Sequence, residues 1–436
     1  MVTAAYSTHY RRKAEIIRKG YTIMVYVISK NGKPLMPTRP RKAKLLLRSG
    51  RAKCVRRTPF TIKLLYDTTE YTQPLTHGID TGSGALGSAV VDSGNNVVYI
   101  SEVEVRNDIT GKMTQRAKYR RNRRNRKTRY RKARWLNRKN SIKKDRFSPT
   151  MKSKFDAHLK EIRFVQTILP ITKLILETAV FDPHALKNPD VLKNKWLYQR
   201  GINYGYANTK AYILSRDGHT CQRCKGKSKD RQLEVHHIIH RADKGSDEPD
   251  NLKTLCKTCH DKVHDGLLTL KGGVEKGNLN HATQMNSIRR QLIRRLNCEE
   301  TFGFVTKEHR QLLGLPKAHC MDAVTIASQG NGVTFKTDRV YRKKCLADGD
   351  YQQFKGVRSE QPIQTRKIQG FRKFDKVSYL GDTYFIKGRM SAGYAILMDI
   401  CGQKQTLKPI PKFNKMKRVS ARKSWIIQAE IIQSIA

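Results

Sequence analysis

The sequence predicts a multidomain α/β chain, on three observations. Its 436 residues suit about three domains rather than one. Between Leu75 and Ile100, apolar runs are broken by Gly-, Ser- and Asn-rich turns, as in three hairpin-connected strands, and helical and strand patterns follow. Residues 208–266 gather cysteine and histidine, with two Cys-x-x-Cys pairs, into what reads as one compact unit.

Charge narrows the function. Eighty-eight Lys and Arg against 36 Asp and Glu leave +52, with a pI near 10.2. Self-repulsion of that size calls for a polyanionic partner. Hydrophobic content of 38% excludes wholesale disorder. No apolar stretch reaches the roughly 18 residues of a membrane span, so no membrane partner is expected. Nine cysteines are too sparse for a disulfide scaffold and point to a reduced, cytoplasmic setting. Residues 1–23 read as a leader without the apolar core of a signal peptide, and Met24 is an alternative start.

The elements follow in order. Tyr26–Ser29 reads as a strand, a turn at Asn31-Gly32 and Pro34-Leu35-Met36-Pro37 come next, and a basic helix is expected near Arg41–Ser49. Phe60–Tyr66 alternates as a strand, which completes a small α+β unit over 24–74. Leu75–Asp80, Ser88–Val91 and Val97–Ile100 make the hairpin-connected strands of 75–111, with Asp80 ending the first; an RNase H-like sheet begins this way. From Lys112 to Arg146 the only acid is Asp145, and no Pro or Gly intervenes. This Arg-rich helix includes Arg116, Arg120, Arg121, Arg123, Arg124, Arg126, Arg129, Arg131 and Arg134, with interleaved aromatics that can stack on bases. Residues 147–183 carry a helix over Phe155–Leu169, closed by Pro170, and a strand ending at Glu177. Linkers are expected over 184–207 and 271–286, around the Cys/His unit of 208–270. A basic helix at Ser287–Leu296 and a second at His319–Ala323 lie within 287–343. Short glycine-separated strands in 344–436 suggest a small barrel.

Two clusters carry chemistry. Cys221, Cys224, Cys256 and Cys259 supply four thiolates, a structural zinc set. Between and after the pairs stand His236-His237, Asn251, and His260 with His264. Neighbouring histidines on a strand face opposite ways, so one can bind metal while the other stays free as a base. His260 and His264 share one helical face. The second cluster is dispersed: Asp80, Glu177 and Asp322 suit a phosphodiesterase holding two Mg²⁺ about 4 Å apart. His319, three residues before Asp322, shares its helical face and is a candidate to complete the metal set or to assist proton transfer.

The Cys/His unit resembles the HNH, or ββα-metal, endonucleases. That resemblance implies His237 as general base, His236 and His260 as ligands of one Mg²⁺, His264 as a further candidate ligand, and Asn251 as the residue that holds the ββ loop. Gly78-Ile79-Asp80, Leu176-Glu177-Thr178-Ala179 and His319-x-x-Asp322-Ala323 resemble the three RuvC motifs. The order of parts is a RuvC core split in three, an Arg-rich bridge helix (112–146) after its first piece, and an HNH insert before its last. Together with Asn31–Pro37, which looks like a PLMP domain, it resembles the transposon-associated IscB family, related to the CRISPR type II effectors. The resemblance implies an omega RNA guide, a double-stranded DNA target, and a monomeric protein in a ribonucleoprotein. HNH would cut the guide-paired strand, RuvC the displaced strand, and the C-terminal domain would read a target-adjacent motif. Two other readings compete: an unguided HNH/RuvC nuclease acting on DNA structure or a fixed site, and a binding protein without catalysis.

Overall fold

The computed structural model describes residues 23–124, 147–178, 182, 184–185, 188–243, 245–273, 280–347, 351–353, 360–362, 367–390 and 392–432. The chain divides into two compact units, residues 1–179 with 284–436, and residues 180–283.

The larger unit opens with β1 (Val25–Ile28), β2 (Pro34–Thr38), α1 (Pro40–Arg48), β3 (Ala52–Arg57) and β4 (Phe60–Leu64). The four strands align as β2-β1-β4-β3. Val25, Val27, Ile62 and Leu64 pack with Ala43 of α1 to form its core. Strands β2 and β3 were not expected. The two prolines of β2 suit an edge strand, where a missing N–H breaks no ladder. The other edge, β3, is largely exposed and basic.

Next come β5 (Leu75–Asp80), β6 (Ala85–Asp92), β7 (Asn96–Glu104), α2 (Ile109–Arg124), α3 (Pro149–Gln166) and β8 (Lys173–Glu177). Helix α3 starts earlier than its apolar pattern because Ser148 caps it, accepting from Met151 N at 3.4 Å, with Pro149 in the first turn. It ends at Gln166, short of the expected Leu169. In the smaller unit the 184–207 linker holds two 3₁₀ turns, Pro189–Leu192 and Lys195–Tyr198. They precede α4 (Thr209–Arg216), β9 (Leu233–His237), β10 (Leu252–Cys256) and α5 (Lys257–His264). Helix α6 (Asn280–Arg295) begins inside the second expected linker. Then follow β11 (Glu299–Thr301), α7 (Gly303–Leu312), α8 (His319–Ser328), β12 (Thr334–Phe335) and β13 (Arg339–Cys345). The last elements are the paired β14 (Tyr351–Gln353) and β15 (Glu360–Pro362), then β16 (Lys376–Tyr379), β17 (Asp382–Arg389), β18 (Ala395–Met398), β19 (Lys404–Gln405), β20 (Lys417–Ser420) and β21 (Trp425–Ile431).

The main sheet runs β11-β8-β5-β6-β7-β13-β21, with β12 also on β7. Strands β5, β6 and β7 are antiparallel, and β8 joins β5 in parallel. Side chains alternate across the sheet. Ala89 and Val91 of β6 pack on Ala323, Val324 and Ala327 of α8, while Val90 joins Val165 of α3 on the opposite face. Two glycines set the α8 face. A Cβ at Gly78 would lie 2.5 Å from Ala323 O, and one at Gly87 1.7 Å from His319 O. Only a bare backbone lets α8 lie this low on β5 and β6, and that approach brings the helix start to the end of β5.

The sheet is pinned by a buried ion pair. Lys343 Nζ of β13 lies 2.6 Å from Glu161 Oε2 of α3, both side chains fully buried. Tyr99 and Ser101 donate to the other carboxylate oxygen at 2.9 and 2.6 Å. Burial pushes the Lys343 ammonium down to about 8. Burial also works to raise Glu161, but Lys343 and the hydroxyls hold that carboxyl below its ordinary value.

The C-terminal expectation needs correction. Strands β16–β20 form one five-stranded sheet, β19-β18-β17-β16-β20, whose end strands do not pair with each other, so it is no closed barrel. Residues 344–436 are not one domain either. Strand β21 leaves that sheet and pairs antiparallel with β13. Its Trp425 is buried edge-on to Phe164 at 5.2 Å. Among the described residues no helix is long and apolar enough to cross a membrane.

Candidate active sites

In the smaller unit, β9 and β10 pair antiparallel with His237 opposite Leu252 and His236 opposite Lys253, and α5 follows at once. Cys256 ends β10, Cys259 lies in α5, and Cys221 and Cys224 come from the preceding turn. The four Sγ atoms fall within 4.8 Å of one another. Cys224 and Cys256 stand 3.8 Å apart, the sulfur separation of about 3.8 Å that four Zn–S bonds of 2.3 Å impose in a tetrahedron. The set fits a structural zinc. The Cys224 thiol is pushed down to about 6, first by the Ser228 hydroxyl, so a thiolate is within easy reach there. Asp230 accepts from the Thr258 amide at 2.9 Å and its hydroxyl at 3.0 Å, which holds the start of α5 against the metal loop.

The imidazoles gather beside this staple. His236, His260 and His264 offer nitrogens within 4.8 Å of one another, with ring centroids 4.5–5.1 Å apart. His236 is buried, and its Nε2 has no hydrogen-bond partner. Burial first, then the neighbouring imidazoles, pushes it down to about 4, which keeps it in the neutral form that ligates metal. An orphaned buried nitrogen facing two more imidazoles fits a divalent ion. The donor chemistry bears on which ion fits here. Mg²⁺ selects oxygen ligands, whereas imidazoles suit borderline ions such as Mn²⁺, Co²⁺ or Zn²⁺. Glu234 Oε2 lies 3.5 Å from His260 Nδ1, where it orients that ring.

His237 points the other way, as its strand requires. Its Nε2 donates to Asp247 Oδ1 at 2.9 Å, and Arg241 Nε holds the same oxygen at 2.7 Å. The hydrogen bond from His237, aided by Arg241, keeps the Asp247 carboxyl below its ordinary value. With Nε2 donating, Nδ1 is left as the acceptor. Asn251 is buried and clamps the loop: its Oδ1 accepts from Ile239 N at 3.0 Å, and its Nδ2 donates to Ile239 O at 3.0 Å and Ser246 O at 2.7 Å.

In the larger unit, Asp80 ends β5 on the α8 side, in line with Gly78. His319 Nδ1 lies 2.5 Å from Asp80 Oδ2, and Asp322 stands one turn along α8. Glu177 ends β8, the strand beside β5. Burial, then the charge of Asp80, pushes the Glu177 carboxyl up to about 7. The same two causes raise Asp322, against Arg310, whose Nε makes an ion pair with it at 2.8 Å. The hydrogen bond to Asp80 raises His319. Carboxylates whose charge is disfavoured by burial and by one another fit divalent cations. Among the described residues the three carboxylates do not close within 4.8 Å of one another as the cysteines and imidazoles do, short of the shared clamp that the sequence led us to expect. Arg289 of α6 is buried here, donating to Thr81 Oγ1 at 2.7 Å and Thr81 O at 2.8 Å, while Thr81 donates to Glu177 O at 2.8 Å.

Arg116, Arg120 and Arg121 lie exposed on α2. Arg123 and Arg124 end that helix, their side chains outside the described residues, as are Arg126, Arg129, Arg131 and Arg134 altogether. A cleft beside α2 and α3 is lined by Arg106, Lys112, Arg116, Lys152 and Lys160, with Asp156.

Sequence reasoning missed Asp247, Glu234, Arg310, Arg289 and His240. His240 lies 5.1 Å from His236 and 5.5 Å from His264, ring to ring. Its spacing, four residues past His236, was the one available signal. The others meet their partners through the fold.

Two family models match the chain: RRXRR protein over residues 25–201 and HNH endonuclease over residues 221–266. A probable HNH endonuclease of Lactococcus phage SK1 is 40% identical over 57 residues, which covers 12% of this chain and 60% of the phage protein. Streptococcus thermophilus Cas9 in complex with the AGAA PAM aligns at a TM-score of 0.31 and 12% identity, covering 55% of this chain and 32% of that one. The complex with the AGGA PAM gives 0.29 and 10%, covering 49% and 31%. The chain therefore spans less than two thirds of each of these proteins. The chain thus carries an RRXRR region over residues 25–201 and an HNH endonuclease domain over residues 221–266.

Proposed function

We propose that this nuclease is a metal-dependent, RNA-guided DNA endonuclease with two cutting sites, one for each strand. The observation that carries the reading is the presence of two donor sets of different chemistry in separate units. One is His236, His260 and His264 beside the His237–Asp247 pair; the other is Asp80, Glu177 and Asp322 around His319. In this reading the sheet of 75–111, 147–183 and 287–343 is a RuvC core, and 24–74 is a PLMP domain. The sheet of β16–β20 reads a target-adjacent motif.

The chain's own residues perform the following steps. Asp247 fixes the His237 ring so that Nδ1 takes a proton from water as its oxygen attacks phosphorus. Asn251 keeps the loop carrying Asp247 at the right distance. A divalent ion, when bound, offsets charge building on the phosphate. Asp80, Glu177 and Asp322 are oxygen donors suited to Mg²⁺. His319 holds Asp80 and offers a proton acceptor or donor at its exposed edge. A surplus of +52 supports an RNA partner as well as DNA.

The test is to purify the protein from its natural locus, sequence the RNA that accompanies it, deplete that RNA, and assay DNA cleavage. Loss of site-specific cutting on depletion, restored by the same RNA, supports guidance. Undiminished site-specific cutting by RNA-free protein assigns the chain to the unguided nucleases.

A further inference from the structure

The main sheet carries a feature that the metal ligands do not use. Phe302 and Phe304 flank Gly303 at the start of α7. Their rings are nearly parallel, 9° apart in plane with centroids at 5.9 Å. Both are exposed, Phe302 by 48% and Phe304 by 70%. Two large apolar rings exposed side by side form a patch of the kind that marks a binding surface.

Their position selects it. Strand β11 pairs with β8 in parallel, with Thr301 opposite Glu177, so Phe302 follows directly on the residue beside that carboxylate. Thr178 N donates to Thr301 O at 2.7 Å and locks the junction. A Cβ at Gly303 would come within 3.0 Å of Glu177 Oε1. Thr306, one turn along α7, bonds to the Glu177 side chain. The aromatic pair therefore stands next to a carboxylate of the candidate cutting site. Lys307 is exposed on the same helix, and Arg310, one turn further, reaches Asp322. Flat apolar faces beside the exposed ammonium of Lys307 match a single nucleic-acid strand, whose bases stack on aromatics without regard to sequence. Paired bases present no free face, so the occupant is an unpaired strand.

We propose that Phe302 and Phe304 form a stacking platform for the base next to the phosphate cut at Asp80, Glu177 and Asp322. This rests on the reading of those acids as a DNA-cutting site. The platform grips the single strand and sets which phosphate lies at the carboxylates; the two phenylalanines are positioning residues that take no part in bond breaking.

The test uses the full-length chain in the His237→Ala background, which isolates the acid site. The protein is loaded with its copurifying RNA, and the probe is the matching target duplex with 2-aminopurine placed at successive positions of the displaced strand. In Ca²⁺, one base is expected to be quenched by stacking, and that base flanks the bond cut when Mg²⁺ replaces Ca²⁺. Phe302→Ala with Phe304→Ala is expected to abolish the quench and slow the cut about tenfold or more, the scale of losing base–aromatic stacking. Phe302→Trp with Phe304→Trp is expected to restore both. Cleavage that needs Asp80 but keeps its rate and its quench in the double alanine variant overturns the platform alone. Failure of the Trp variant to restore the quench also overturns it, because a structural role rather than stacking would then be at work. Cleavage that survives Asp80→Ala in the same background overturns the acid-site reading, and the platform with it.

Discussion

His319 Nδ1 and Asp80 Oδ2 stand 2.5 Å apart, although 239 residues separate them in sequence. The contact exists because Gly78 and Gly87 let α8 settle onto β5 and β6. In the proposed acid site, His319 would orient the Asp80 carboxylate. His319→Ala is expected to slow Asp80-dependent nicking by about 10–100-fold, the usual cost of losing a partner behind a ligand. Strand-resolved gels measure this, and an unchanged rate removes His319 from the site.

Asp247 plays the matching part in the smaller unit. Asp247→Asn keeps the shape but offers an amide in place of the carboxylate that accepts from His237 Nε2. The nick that depends on His237 is expected to fall by at least about tenfold, while the Asp80-dependent nick holds its rate. Equal loss at both sites would point to a folding defect instead.

Removing zinc separates the units. Cys256→Ser, or a strong chelator, is expected to unfold the ββα segment, since four-cysteine zinc sites contribute folding energy directly. Metal analysis should find zinc in the wild type and none in the variant, with Asp80-dependent nicking retained. A variant that keeps both zinc and the His237-dependent nick contradicts the assignment of these cysteines.

Two buried histidines set an acid limit on stability. Burial holds both His77 and His158 down to about 4, from an ordinary 6.5. Both are neutral in the fold, so the unfolded chain takes up protons first as pH falls. Stability is complete above 6.5 and is lost progressively toward 4, by at most roughly 3 kcal/mol for each histidine. Thermal unfolding across that window checks it, and the double change His77→Gln with His158→Gln is expected to flatten the slope. A slope that the double change leaves intact assigns the acid sensitivity to other groups.

The exposed arginines of α2 predict a salt effect. Arg116→Gln, Arg120→Gln and Arg121→Gln together are expected to weaken RNA binding and to flatten its dependence on salt, because each lost phosphate contact releases one counterion fewer. An unchanged slope would mean that this helix face does not touch phosphate.

Legibility in the sequence followed the range of each interaction. The Cys-x-x-Cys pairs, His236-His237 and the His260/His264 pair are local, and their spacing alone located the site. Asp80 and Glu177 stood out because strands end at them. Asp247, Arg310 and Arg289 were invisible because each gains its role from a partner brought in by the fold. The same holds for β21: nothing in Trp425–Ile431 says that it pairs with Arg339–Cys345 rather than with the neighbouring sheet. Strand β2 was obscured by its prolines, which an edge position tolerates.

The central claim is that imidazoles and carboxylates form two independent cutting sites. The most direct measurement follows each strand of a target duplex, separately labelled, with wild type, Asp80→Ala, His237→Ala and the double variant. The account predicts that each single variant nicks one strand, a different one in each case, and that the double variant cuts neither. A double-strand break by either single variant, or loss of both cuts in one of them while it remains folded, contradicts it.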